Sequence, residues 1–351
     1  VEITESLRAA GHRVTVVAAK GPLAGRVGAS GADLLDWSIG RKRLGTLRYI
    51  RQLREWLLEN PADIVHVHSR LPAWICFLAL RKLPADKRPV FITSMHGQYS
   101  VSSYSAIMAR GDHVVAVSEH IRDYTLENYL SPPCPRLTTI HGGVGRDDFP
   151  YGYRPGDAWF RETFREFPQL EDKRILLLPG RLSRYKGHAT FIELLAVLQS
   201  EFDDVHAVIL GRAKPGSRYI NELEGLADRH GVSGKLTFVG IRTDMRDWMS
   251  ASYLVYSLCS DPPEAFGRIV PESLSLGVPV IAWNHGGVAE VLREMFPEGA
   301  VEADNLAALI SKSREFLRQT PNVKESDAFS LEASMEQTMN LYHSALEEED
   351  R

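Results

Sequence analysis

Cysteine is scarce in this 351-residue chain, and Cys76, Cys134 and Cys259 stand far apart with no CxxC or CxxH pairing. That excludes a disulfide framework or a zinc site and suits a reducing compartment. Long apolar runs are lacking too: no stretch approaches 18 uninterrupted apolar residues, so none reads as a membrane span. A D-x-D triplet is missing throughout, so no such carboxylate pair is on offer to hold a metal against a phosphate group. The chain also opens without methionine, on VEITESLRAAGH, in what reads as the middle of an element. A segment ahead of Val1 is therefore expected.

What is present is ordinary in bulk and uneven in charge. Hydrophobic residues at 44% and charged residues at 25% are globular values. The length favours two domains, each able to bury its own core. The net charge of −4 hides a basic front half, with 19 Lys/Arg against 14 Asp/Glu over residues 1–150, and an acidic remainder with 22 against 31. Such halves face different partners.

Short apolar runs alternate with amphipathic stretches. Strands are expected at 13–19, 63–69, 89–97, 113–118 and 137–143, then at 175–181, 205–212, 235–240, 253–258 and 278–283. Helical patterns intervene at 45–60, 189–202 and 217–231. Strands apolar on both faces and separated by helices mean parallel sheets covered by helices. The series breaks at 145–173, rich in Pro, Gly and charge, with no strand; the domain boundary is expected near Phe149–Pro155. The expected fold is α/β, two doubly wound, Rossmann-like parallel-sheet domains facing across a cleft. Residues 1–150 form the first and 151–330 the second, and a C-terminal helix over 331–351 crosses back onto the first. Ligands of such sheets sit at the carboxyl ends of the strands.

The stretch EAFGRIVPESLSLGVPV (264–280) sets Glu264 and Glu272 around a Phe-Gly-Arg turn. Pro271 suits a first helical turn, where its missing N–H costs nothing. A helix starting near Gly267 aims the backbone N–H groups of Phe266 to Ile269 at a phosphate, with Arg268 adding charge. Carboxylates in such company have hydroxyls as natural partners, so a ligand with a diphosphate centre and a sugar at each end suits both. Spacing alone leaves the plainer reading open, that both simply complement a helix N-terminus. The run LLLPGRLSRYKGH (176–188) places Gly180, Arg181 and Lys186 where a strand meets a helix. Arg181 and Lys186 can clamp a diphosphate, although an Arg and a Lys after a strand are commonly just solvated surface.

Together, GRLSRYKG, the E-x7-E pair and GVPV resemble the retaining glycosyltransferases of family 4, which have the GT-B fold. AAGHRVTVVA, IHGGVGRDDF (140–149) and FVGIRTDM (238–245) extend the resemblance over nearly the whole chain. It implies that Glu264 binds hydroxyls of the transferred sugar and Glu272 the ribose, that Arg181 and Lys186 hold the diphosphate, and that Ile241 and Arg242 seat the nucleobase. Gly211 closes a strand where the donor passes, and His96 in SMHGQYS lies beside the sugar at the reaction centre. Two departures stand out: the family's first strand and Gly-rich loop would precede Val1, and His141 replaces the asparagine usual in the linker motif.

The implied activity is retaining, metal-independent transfer of a sugar from a UDP- or GDP-sugar to a saccharide. No cofactor is expected beyond that donor, and no nucleic-acid partner. No carboxylate is placed as a glycosyl nucleophile in the manner of a retaining hydrolase. The resemblance therefore suggests front-side substitution, with the leaving phosphate helping to deprotonate the acceptor. Arg70, Gln98 and Tyr99 are candidate acceptor contacts. The stretch 39–56 carries six Lys/Arg against one acid among spaced apolar residues, which reads either as a helix lying on anionic lipid or as one packed on its own sheet. SRLPAW and YSAIMARGDHVVAVSEHIRDY look most like bacterial enzymes of lipopolysaccharide core or other surface polysaccharide. A cytoplasmic protein, peripheral at the inner face of the membrane, is expected. The competing readings are a nucleotide-sugar epimerase, which needs no acceptor, and a saccharide-binding pseudoenzyme, which intact Glu264, Lys186 and His96 disfavour.

Overall fold

A computed structural model describes residues 1–130, 134, 136–212 and 217–349. The chain divides into two compact units, Val1–His141 with the chain from Glu332 on, and Gly142–Leu331.

The first unit holds β1 (Thr15–Ala18), β2 (Asp33–Asp36), β3 (Ile64–Val67), β4 (Val90–Met95), β5 (His113–Ala116) and β6 (Leu137–Thr139). β3 to β6 form one parallel sheet in sequence order, and β1 pairs with β2 in a second, two-stranded one. β4, VFITSM, is buried along its whole length, because helices cover both faces of a parallel sheet. One cover is the helix Leu331–Glu349. Its Leu341, Tyr342 and Ala345 pack on Val90, Ile92, Val115 and Ile140. The end of the sequence, Asp350 and Arg351, lies outside the described residues.

In the second unit, β7 (Arg174–Pro179), β8 (Val205–Leu210), β9 (Leu236–Gly240), β10 (Leu254–Ser257), β11 (Val280–Trp283) and β12 (Ala300–Val301) form one parallel sheet in the order β12-β11-β10-β7-β8-β9. The core sits between this sheet and its helices. Phe191, Ile192, Leu194, Leu195 and Leu198 of the helix His188–Leu198 are all buried, and Phe191 meets Tyr256 of β10 at 5.1 Å between ring centroids.

Three departures from the sequence reading have physical causes. β2 and β12 were not expected. In β2, DLLD offers only two apolar residues between aspartates, and β12 is two residues long. The basic stretch 39–56 is not one helix: a 3-10 turn occupies Leu44–Leu47 and the helix proper is Arg48–Glu59, so Arg41, Lys42 and Arg43 fall in a loop. Gly40 and Gly45 flank that triplet and favour turn over helix there. The strandless segment 145–173 does contain a helix, Asp157–Glu166. Trp159 fixes it, stacking edge-on to Trp248 at 5.3 Å and donating to Asp244 Oδ2 at 2.7 Å.

Candidate functional site

In the second unit the strand order reverses between β7 and β10, the position where doubly wound sheets bind ligands. Residues of the donor set gather there. Gly180, Gly211 and Gly240 leave the ends of β7, β8 and β9 side by side, the Gly180 amide donating to Leu210 O at 2.8 Å and the Gly211 amide to Gly240 O at 2.9 Å. A Cβ on Gly211 would stand 1.7 Å from the Gly180 carbonyl oxygen, so only glycine keeps these strand ends together.

Beyond Gly180 the chain makes a short 3-10 turn, Arg184–Lys186, and Gly187 (φ 77°) starts the helix His188–Leu198. Arg181 is exposed and donates to the Tyr185 hydroxyl at 3.2 Å. The Tyr185 carbonyl accepts from the Ser260 amide at 2.8 Å, tying this turn to the loop after β10. Lys186 Nζ and Glu264 Oε1 form an ion pair across the same gap, both side chains about one-fifth to one-quarter exposed. In that pair the lysine and the glutamate neutralise each other.

Gly267 (φ 78°) turns the chain from Glu264 into the helix Ile269–Ser275, and a Cβ there would meet Val288 Cγ2 at 2.4 Å. The helix starts two residues later than expected. Glu272 lies in its first turn and accepts from Arg268 Nε at 3.0 Å while nearly buried. Phe266 is buried too, and Gly142 of the linker motif leaves room for it: a Cβ on Gly142 would stand 2.7 Å from the Phe266 ring.

At the turn expected to seat a base, Arg242 already has partners. Arg242 is not an open donor: its guanidinium meets Glu166 at 2.5 Å and stacks over Phe167 and Trp248 at 5.2 and 5.8 Å. It braces the helix Asp157–Glu166, a partner 76 residues away that no local motif reveals. Ile241, 62% exposed just past β9, remains presented.

In the first unit, His96 follows β4 and His68 follows β3, and His68 Nδ1 lies 3.0 Å from His96 Nε2. The His66 ring packs against His68 at 4.3 Å and is itself held by the Tyr342 hydroxyl and Ser94 Oγ, both at 2.6 Å. His68 and His96 keep solvent-reachable edges, yet surrounding protein excludes enough water to lower both pKa values, and His96 lowers His68 further. Neutral imidazoles can share one N–H between them. Arg70 lies over the Tyr99 and Tyr104 rings at 4.8 and 5.4 Å and donates to Ser105 Oγ at 3.0 Å. Gln98 Nε2 pairs with His120 Nε2 at 2.8 Å. Sequence reasoning passed over His66, His68, His120 and Tyr185. HVH was a readable signal for the first two, since period-two spacing puts both on one face of a strand.

Residues 1–148 match Glycosyltransferase Family 4 and residues 160–333 match Glycosyl transferases group 1. Spore coat protein SA of Bacillus subtilis (strain 168) is 28% identical over 84% of this chain and 77% of its own. A glycosyltransferase from Rickettsia africae ESF-5 superposes with TM-score 0.84 at 24% identity, covering 98% of this chain and 93% of that one. Anabaena Alr3699/HepE, solved in complex with UDP and glucose, gives TM-score 0.79 at 18% identity over 98% and 95%. These likenesses agree with two Rossmann-like parallel-sheet domains of the GT-B fold. With both halves matched in order, the chain belongs to the group 1 glycosyltransferases with a family 4 front half.

Proposed function

We propose that this glycosyltransferase moves a sugar, with retention and without a metal, from a UDP- or GDP-sugar to a saccharide acceptor of a lipid-linked lipopolysaccharide core or other surface polysaccharide. The observation that carries the donor reading is the Lys186–Glu264 pair at the switch point of the second sheet. A diphosphate laid along Gly180 and Gly211 meets Arg181 and Lys186, and Glu264, released from Lys186, takes hydroxyls of the sugar. Glu272 takes the ribose and Ile241 borders the base. HepE, of the same fold, binds UDP and glucose, which supports a nucleotide sugar here.

In the reaction the bond from the anomeric carbon to the β-phosphate oxygen breaks, and its electron pair leaves with the phosphate. Arg181 and Lys186 stabilise that charge, a role that needs no D-x-D metal. The acceptor hydroxyl attacks from the face the phosphate leaves, and its proton passes to a phosphate oxygen. His96, neutral at its crowded position, hydrogen-bonds the sugar without adding a charge that would compete with the phosphate clamp. A lipid-linked acceptor would place the enzyme at the cytoplasmic face of a membrane; among the described residues no helix is long and apolar enough to cross one.

Thermal-shift and calorimetric titration with UDP, GDP and their sugars tests the donor reading. One nucleotide series should raise Tm, and no binding by either series would sink the proposal. Transfer should persist in EDTA. Incubation with donor alone separates the epimerase, which would change the sugar without any acceptor.

A further inference from the structure

The basic stretch 39–56 has no part in the chemistry above, and its cations are not equivalent. Within the helix Arg48–Glu59, Arg51 pairs with Glu55 at 2.7 Å and Arg48 stacks on Tyr49 at 5.0 Å. The loop cations Arg41, Lys42 and Arg43 pair with no carboxylate among the described residues. The loop is nonetheless well held: the Thr46 hydroxyl donates to Arg41 O at 2.5 Å and the Thr46 amide to Arg43 O at 3.0 Å.

From this loop Lys42 Nζ reaches the Tyr104 ring, 5.9 Å from its centroid. Arg70 lies 5.4 Å from the same ring and 4.8 Å from Tyr99. Tyr99 stands three residues after His96 in the same loop beyond β4. A row of contacts therefore runs from Tyr99 through Arg70 and Tyr104 to Lys42, beginning three residues from His96, with two cations and no acid in it. Arg70 has five N–H donors, and its hydrogen bond to the protein goes to Ser105 Oγ, which is fully buried. That bond and the two rings fix the guanidinium in place without neutralising it. A cation held rigid and left unpaired is arranged for an anion that arrives with a ligand.

We propose that Arg70 and Lys42 form an anion subsite for the acceptor, and that the acceptor saccharide carries a phosphate or carboxylate bound beside Tyr104. The proposal rests on the reading of His96 as part of the reaction centre, and it takes the basic loop away from a lipid surface and gives it to the substrate. Stacked arginine offers planar, bidentate recognition, while the lysine of the loop adds charge.

The test titrates the full chain, with its tightest nucleoside diphosphate present, using glucose 6-phosphate, glucuronate and glucose as probes. The charged sugars should bind, and glucose should be weaker by about tenfold or more. Lys42→Gln, a loop substitution that leaves the core untouched, should weaken the charged sugars severalfold, and Arg70→Gln more so. Neither should change nucleotide affinity. Charged sugars that bind no better than glucose, absence of binding included, overturn the subsite, as does a Lys42→Gln variant that binds them normally. Phosphatidylglycerol vesicles form the second arm. If the two variants lose vesicle binding but keep sugar-phosphate binding, the cations serve a lipid surface and the proposal falls. Loss of nucleotide binding in the unaltered protein would count against the transferase reading instead, and the sugar arm is read separately.

Discussion

At the scale of single residues, two glutamates eight positions apart have partners of different kinds. Glu264 is tied to a lysine brought from another loop, Glu272 to an arginine one turn away on its own helix. They should fail differently. Glu272→Gln should weaken free nucleotide and intact donor alike, by roughly ten- to a hundredfold for a charged hydrogen bond. Glu264→Gln should spare the free nucleotide and reduce donor binding and turnover. Calorimetry on both variants decides it; equal losses of bare nucleotide would end the division of labour between them. Lys186→Ala should cost about 10²-fold or more in turnover, as loss of a charge-stabilising donor does. His68 is among the residues that motif reading missed. By hydrogen-bonding His96 Nε2 it couples the tautomer of that ring to its own. His68→Leu should lower kcat by about tenfold with donor KM unchanged, and His68→Asn, which restores a polar atom near Nδ1, should recover much of it. A KM effect without a kcat effect, or no rescue by asparagine, would leave His68 a packing residue. The residues legible in sequence were those fixed by neighbours within a motif, such as Lys186 after Gly180. The partner of Arg242, Glu166, was not legible because it lies 76 residues away along the chain.

At the scale of elements, the paired sheets were readable because their strands are apolar on both faces: VHAVIL of β8 is buried at every position. β2 escaped because charged ends break that pattern. Burial also has an acid cost at the helix His188–Leu198. Its first residue, His188, is fully buried against Tyr219, 6.0 Å between ring centroids, and neither ring nitrogen has a well-aligned partner. Burial holds its pKa down to about 4, against 6.5 for an ordinary histidine, and His206 in β8 is lowered to about 4 for the same first reason. Between those values the unfolded chain binds more protons than the folded one, so stability is full above about pH 6.5 and falls as pH drops towards 4. Each ring contributes at most about 3 kcal/mol to that loss. The urea midpoint should drop between about pH 7.5 and 5, and less so in His206→Gln, whose amide can still bond Thr237. An unchanged midpoint would show that these rings take up protons equally in the folded and unfolded states.

At the scale of the molecule, the two units differ in how they are closed. Residues 142–331 form one continuous unit, while the first borrows the chain from Glu332 on. A chain ending at Leu331 should therefore keep nucleotide binding while losing cooperative unfolding of the first unit, because Val90, Ile92, Val115 and Ile140 lose the cover of Leu341, Tyr342 and Ala345. Truncation that leaves the first unit's melting unchanged would mean that the helix is an ornament.

The same helix reverses the order in which the molecule can be finished. The first unit is translated first, yet the residues that close its sheet emerge some two hundred positions later. At ribosomal rates that delay is roughly 10 to 40 s, long enough for the uninterrupted second unit to fold in the meantime. During it the apolar face around Ile92 stands open beside the ribosome, a surface for a holding chaperone. Of the two units, the one made earlier is the one completed later.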